Sequence, residues 1–492
     1  MNRLLTDPRL RVGLCVGVLV VVALLGVLAG PPAVKSSTGG AALNGKAVVS
    51  RTTVACPVLG TGGKVNSVVT AVSPLLPDGT PMPDDPTTAL TLSDLDPDSG
   101  RVYTSVRERG QLGVLSRTNN SEIISVRANG PLAAGAAATV MATSDSGANR
   151  GVAASPCVAP TSDFWFVGVS SMAGRRGVLT LTNLDEEPAG VDVYVHGAEG
   201  EADVPAAKGI VVQARGQTEV YLNTVLPDAR DLALHVQVGS GRVAATFRDN
   251  VQGKDGPSGV DWIPAAGEPT KRVIVPAIAP GKGLRVLTVV NPGDVQATAT
   301  LTLHGPNGRF KPARKETLDI PAKSTRVVRL DDALKGDGGG VSIESDQPLT
   351  ASARMVDAKQ TDFAASASAL PLTGPAYLAL PAHTETLVLM LTAPDKGAAL
   401  QLEIRDAGGQ VVQTRELDVA EGATSVVALK PVPKANYLTV TPRKGDLVAG
   451  VVLGPPTKTS TPTNKFAAWT LATSLVFRAQ LGAAPNVNAA LR

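Results

Sequence analysis

Leu287-Thr288-Val289-Val290-Asn291 repeats Leu179-Thr180-Leu181-Thr182-Asn183, and 13 residues after each Asn stands a His-Gly pair, His304-Gly305 and His196-Gly197. Between these landmarks the apolar residues alternate. Val191, Val193 and Val195 interleave with Asp192 and Tyr194, and Leu301 and Leu303 interleave with Thr300 and Thr302. A period of two places alternate side chains on opposite faces, the pattern of a strand with one buried face. The repeated block is therefore a run of strands.

Outward from this block the repeat extends over most of the chain. Each copy opens on an apolar strand, marked by Val54, Phe166, Ile274 and Leu378, which are 112, 108 and 104 residues apart. A polar turn leading into a strand recurs as Ala214-Arg215-Gly216-Gln217, Ala322-Lys323-Ser324-Thr325 and Ala420-Glu421-Gly422-Ala423, with a shorter form at Arg109-Gly110-Gln111. A closing hairpin recurs at Asn129-Gly130, Gly239-Ser240-Gly241, Asp346-Gln347 and Lys444-Gly445. Gly, Asn and Asp supply the positive φ that tight turns need. About six or seven short strands per unit, with no amphipathic helix between them, predict an antiparallel β-sandwich of immunoglobulin size. The fold class is all-β, with about four tandem sandwich units. A β-propeller, with each unit split into two blades, is the alternative, but no half-period similarity is visible.

The N-terminus places these units. Val12 to Ala29 is a run of 18 apolar residues without a charge, preceded by Arg3, Arg9 and Arg11. That length is at the lower limit for a transmembrane helix, and the arginines keep the short end in the cytoplasm. A cleavable signal sequence is the rival reading, in which the chain is secreted. The expected organisation is a cytoplasmic end over 1–11, an anchor over 12–29 and a flexible stalk over 30–44. Units follow over 45–160, 161–270, 271–373 and 374–477, then a frayed tail over 478–492. The anchor makes the cytoplasmic membrane the first partner.

Composition narrows the chemistry. The 492 residues carry a net charge of +3, with 3% aromatics, four histidines and three cysteines. No long basic run points to nucleic acid. Two cysteines, Cys56 and Cys157, lie in the exported part, where oxidising conditions favour one disulfide. It would staple the first strand of unit one to its end.

Candidate sites are few. Asp94, Asp96 and Asp98 have the alternating spacing that opens a calcium loop, but Ser105 stands where the bidentate carboxylate belongs. The repeat places the same stretch in a hairpin turn, so no cofactor is expected and calcium is the weak exception. Pro74, Pro77, Asp84, Asp85 and Pro86 mark a long extended loop, the candidate binding segment. The four histidines are expected on the surface, with His196 and His304 at strand ends, and Trp165 in the core. No nucleophile motif occurs, and the carboxylate pairs Glu186-Glu187 and Asp331-Asp332 lie near turns. An enzyme is not expected, and an unrecognised hydrolase is the residual case.

The Arg-flanked anchor, Cys56-Pro57, Ser155-Pro156-Cys157, Asn183-Leu184 and Asn291-Pro292 are similar to an actinobacterial family of exported, membrane-anchored proteins, the domain of unknown function 5719. The resemblance implies no catalytic residues. The expected function is a non-catalytic structural or protein-interaction role in the cell envelope, outside the membrane. The alternative is a module binding envelope polysaccharide or a small solute, which an exposed Trp262 or Trp469 would favour.

Overall fold

The computed structural model describes residues 46–60, 63–83, 85, 87–95, 100–119, 121–456 and 465–479. The anchor over 12–29, the stalk over 30–44 and most of the tail lie outside the described residues. Among the described residues no helix is long and apolar enough to cross a membrane.

Among the described residues strands dominate and helix is slight, and the sheet order recurs from one unit of the chain to the next. Unit four shows the pattern plainly. Its first sheet runs in the order Ala376–Leu380, Asn436–Lys444, Ala398–Arg405, Val411–Val419. Its second runs Ala423–Leu429, Leu387–Ala393, Val448–Leu453, Ala467–Leu471. Unit one repeats this order strand for strand, from Arg51–Cys56 to Gly151–Pro156. In unit three a single long strand, Gly339–Asp357, bends from the first sheet into the second. Each unit thus has two sheets facing across a core, as a sandwich does. The connectivity differs from the immunoglobulin sandwich, in which the first strand lies beside the second. Here the opening strand lies beside the sixth, and the second strand enters the opposite sheet.

The alternation read from sequence is what buries the core. Val191, Val193 and Val195 are buried while Asp192 and Tyr194 are partly exposed. Leu400 and Leu402 are buried between the less buried Gln401 and Glu403.

The units do not stand in a row. The last strands of the four units, Gly151–Pro156, Gly256–Ile263, Phe363–Ala367 and Ala467–Leu471, lie next to one another in a closed cycle. Each inner strand completes the core of the unit before it. Val260 and Trp262 of unit two enter the core of unit one. Phe363 and Ala365 of unit three enter that of unit two. Phe466 and Ala468 of unit four enter that of unit three. Val152 and Ala154 of unit one then enter that of unit four, which closes the ring. In each case the two residues are two apart, on one face of the strand. Apolar burial is the main favourable term in folding, so no unit holds its whole core alone.

The ends close as well. Lys46–Val48 pairs antiparallel with Phe477–Ala479. The tail expected to fray from 478 therefore begins inside a strand. Cys56 and Cys157, 101 residues apart, form a disulfide between the opening strand of unit one and the segment after its inner strand.

Candidate functional site

Two constellations of polar side chains follow from the ring, and both sit where units meet. At the inner strands, Asp261 and Asp362 are fully buried. Asp261 accepts the amide of Trp262 at 2.9 Å, and the amides of Ala154 and Ala468, from units one and four, face the same carboxyl. Asp362 accepts from Phe363 and, across the unit boundary, from Phe466, both at 2.9 Å. Burial pushes both carboxyls well above the usual carboxylate range. For Asp261 the neighbouring Asp362 adds to the shift.

A second cluster opens onto a cavity of about 470 Å³ between units two and three. Asp249, fully buried on strand Ala244–Gly253, accepts from Arg175 Nε at 3.0 Å and Arg354 Nη1 at 2.8 Å, and also from Arg175 Nη2. Two guanidinium groups therefore share one carboxylate. Arg175 belongs to unit two and Arg354 to unit three. Arg354 also lies over the ring of Phe363, 3.6 Å from its centre. Burial, then the like charge of Arg175, lowers the Arg354 guanidinium to about 10. Arg150 of unit one reaches the same wall and donates to the Pro257 carbonyl. Lys254 and Lys359 stand exposed at the mouth. The same arginine pair also lines a smaller cavity of about 380 Å³, with Ser170, Arg230 and Thr288.

The histidines expected on the surface are inside. His196, His304 and His383 are 4%, 1% and 7% exposed. The alternation does place His196 and His304 at strand ends, but the next unit covers those ends. His196 Nδ1 lies 3.1 Å from the Lys323 carbonyl of unit three. His304 Nδ1 lies 3.0 Å from the Gly422 carbonyl of unit four, and its Nε2 lies 2.8 Å from Ser342 Oγ. Both carbonyls belong to the repeated polar turn, so one joint is built twice. Burial lowers both imidazoles below their ordinary value. His235 pairs with Asp163 at 2.6 Å and stacks on Trp165, ring centres 4.0 Å apart.

The three tryptophans are all buried, Trp165 and Trp262 at 3% and Trp469 at 2%. Trp165 is in the core as expected, and neither Trp262 nor Trp469 offers an exposed face for stacking on a sugar.

The candidate loop is held at its base. Half-buried Arg109 donates to the carbonyls of Pro74 at 2.6 Å and Ala134 at 3.1 Å, and to that of Pro131. Pro77 O accepts from Thr80, and Asp85 accepts from Thr87 amide and hydroxyl at 2.8 and 2.6 Å. Leu75 and Met82 on this loop are 43% and 44% exposed. Asp84 and Pro86 lie outside the described residues. Asp94 turns back to accept the Arg101 amide at 2.9 Å, as in a capped turn. Asp96 and Asp98 lie outside the described residues, and among those described no three acidic, His or Cys side chains could hold a metal ion. Glu186 pairs with Arg215, and Asp331 pairs with Arg329.

The fold defines an all-β repeat protein whose units share their cores in a ring. A family model described as a family of unknown function, DUF5719, matches residues 115–430, so the chain belongs to that family. No curated protein matches it. Among solved structures, that of Thermotoga maritima 1070 is similar over 20% of this chain and 91% of its own, at 15% identity and a TM-score of 0.18.

Proposed function

We propose that the chain serves as a non-catalytic protein of the cell envelope, structural or protein-binding, held outside the cytoplasmic membrane by its N-terminal apolar run. The observation that carries this reading is the loop from Pro74. Its first residue, Pro74, is tied through Arg109 to the turn at Pro131 and Ala134, while Leu75 and Met82 are presented to solvent. A fastened loop with exposed apolar side chains on a rigid body lowers the ordering cost of binding a partner. The shared cores give the rigid body. Crosslinking in intact cells tests it. Replacing Leu75 and Met82 by Ser should lose a reproducible envelope protein partner that the parent captures. An unchanged set of captured proteins would count against the reading.

A second reading, a module for a small solute, is favoured by the arginine-lined cavity. The envelope-polysaccharide form of that reading loses support from the buried tryptophans.

A further inference from the structure

The cavity between units two and three holds more positive charge than its own carboxylates balance. Five cationic side chains line it, Arg150, Arg175, Lys254, Arg354 and Lys359, and Asp255 is the one acid among the described lining residues, with Asp357 behind Thr361. Asp249 behind the wall is shared by both arginines. Its two oxygens take three of their N–H groups. Among the described residues, Arg175 Nη1 and Arg354 Nε and Nη2 are not engaged by Asp249. Their side chains are only 18% and 15% exposed.

Two like charges brought together and largely withdrawn from water are costly unless an opposite charge completes them. The structure supplies one half of that charge and fixes the geometry. Asp249 orients Arg175 bidentately, and the Phe363 ring holds the Arg354 plane. A guanidinium held this way offers its remaining donors in a planar fork suited to oxyanions. A volume of about 470 Å³ falls within the span of small-molecule sites, roughly 300–1,000 Å³. That is room for an anionic group with an organic portion attached.

We propose that this cavity binds a tetrahedral oxyanion of the phosphate class, either free or as the terminal group of a small phosphomonoester. Arg175 and Arg354 are the direct ligands, and Arg150, Lys254 and Lys359 supply the surrounding potential. The multiple negative charge of phosphate answers a surplus that a single carboxylate leaves unmet. The assignment rests on the small-solute reading of the cavity and leaves the envelope role untouched.

The test is titration calorimetry and thermal melting of the purified full-length chain. The probes are inorganic phosphate, phenyl phosphate and glucose, each against sodium chloride at matched ionic strength. Saturable binding of phosphate or phenyl phosphate, with a rise in melting temperature beyond the chloride control, is the expected result. Equal affinity for the two identifies the free ion as the ligand. Phenyl phosphate binding tenfold tighter identifies an organic phosphate. The paired change Lys254→Glu with Lys359→Glu, on exposed side chains, should weaken binding at least tenfold. Arg354→Gln should abolish it where far-ultraviolet dichroism shows the fold retained. If Arg354→Gln fails to fold, the lysine pair decides. Glucose binding without phosphate binding would overturn the phosphate assignment and keep a solute site, whereas binding of neither would remove both. An effect matched by chloride, or unchanged in the lysine pair, would overturn the assignment as well.

Discussion

His304 lies with one ring nitrogen on a carbonyl of the following unit and the other on a hydroxyl of its own. Its ring is lowered by burial and by Arg309 and Arg272, against the Gly422 carbonyl and Asp395. His196 is lowered by burial, against the Lys323 carbonyl and Glu201, with His235 and the Lys323 charge in the lowering sense. In both cases the unfolded chain takes up a proton first as pH falls. The contribution of each neutral imidazole is whole above about 6.5 and declines as pH drops below that value. Urea unfolding across pH should therefore show stability falling on the acid side, and His304→Gln should flatten that limb. Asp261 and Asp362 act in the opposite sense. Their raised carboxyls contribute fully below about 3.9 and lose that contribution as pH rises. Asp261→Asn keeps the shape without the charge, so it should raise stability on the alkaline side, and an unchanged alkaline limb would refute this. Arg109→Ala leaves several backbone carbonyls without their donor. A loss on the order of 2–3 kcal/mol and faster proteolytic cleavage after Pro74 are expected. None of these partnerships could be read in sequence. Asp249 is 74 residues from Arg175 and 105 from Arg354, and no local pattern links them. The histidines were misread because alternation reports which face of a strand a residue takes, not what covers that face.

At the scale of the strand, alternation made the outer elements plain. Val191 to Val195 and Leu400 to Ile404 could be placed because one face is wet. The inner strands carry no such alternation, for the opposite reason. Phe363–Ala367 is buried at every position, and Gly151–Pro156 at its first four. A strand buried on both faces has no period of two to read. Eight strands in units one, three and four and nine in unit two, where about six or seven were expected, are the result among the described residues. Close approach between units also depends on small residues. A Cβ at Gly450 would stand 2.5 Å from Ala277 Cβ on the neighbouring unit. Gly450→Ala should cost roughly 1–3 kcal/mol through overpacking, read from the urea midpoint. Gly239, which has open space around it, is the control position for the same change.

For residues 42–492 as a body, the exchange of inner strands makes four repeats into one cooperative system. They cluster as one compact unit. Calorimetry should show a single transition with no separate melting of units, and resolved steps would contradict the shared cores. The disulfide closes a stretch of 101 residues. Its reduction should cost about 4–5 kcal/mol by the loop-entropy relation, visible as a lower melting temperature. The fourfold repeat was legible from spacing alone. Its closure was not, because no sequence period states that the first copy touches the last.

The pairing of Lys46–Val48 with Phe477–Ala479 brings the two ends of the described chain side by side. In a closed cycle of like units, the place where synthesis starts has no privileged position. A circular permutant with residue 479 joined to residue 46 by a short linker, and new termini between Glu268 and Pro269, keeps every shared core intact. Its order of translation would be units three, four, one and two. The same contacts would then be reached by a different folding route, so the arrangement is a property of the cycle and not of the direction in which it is written.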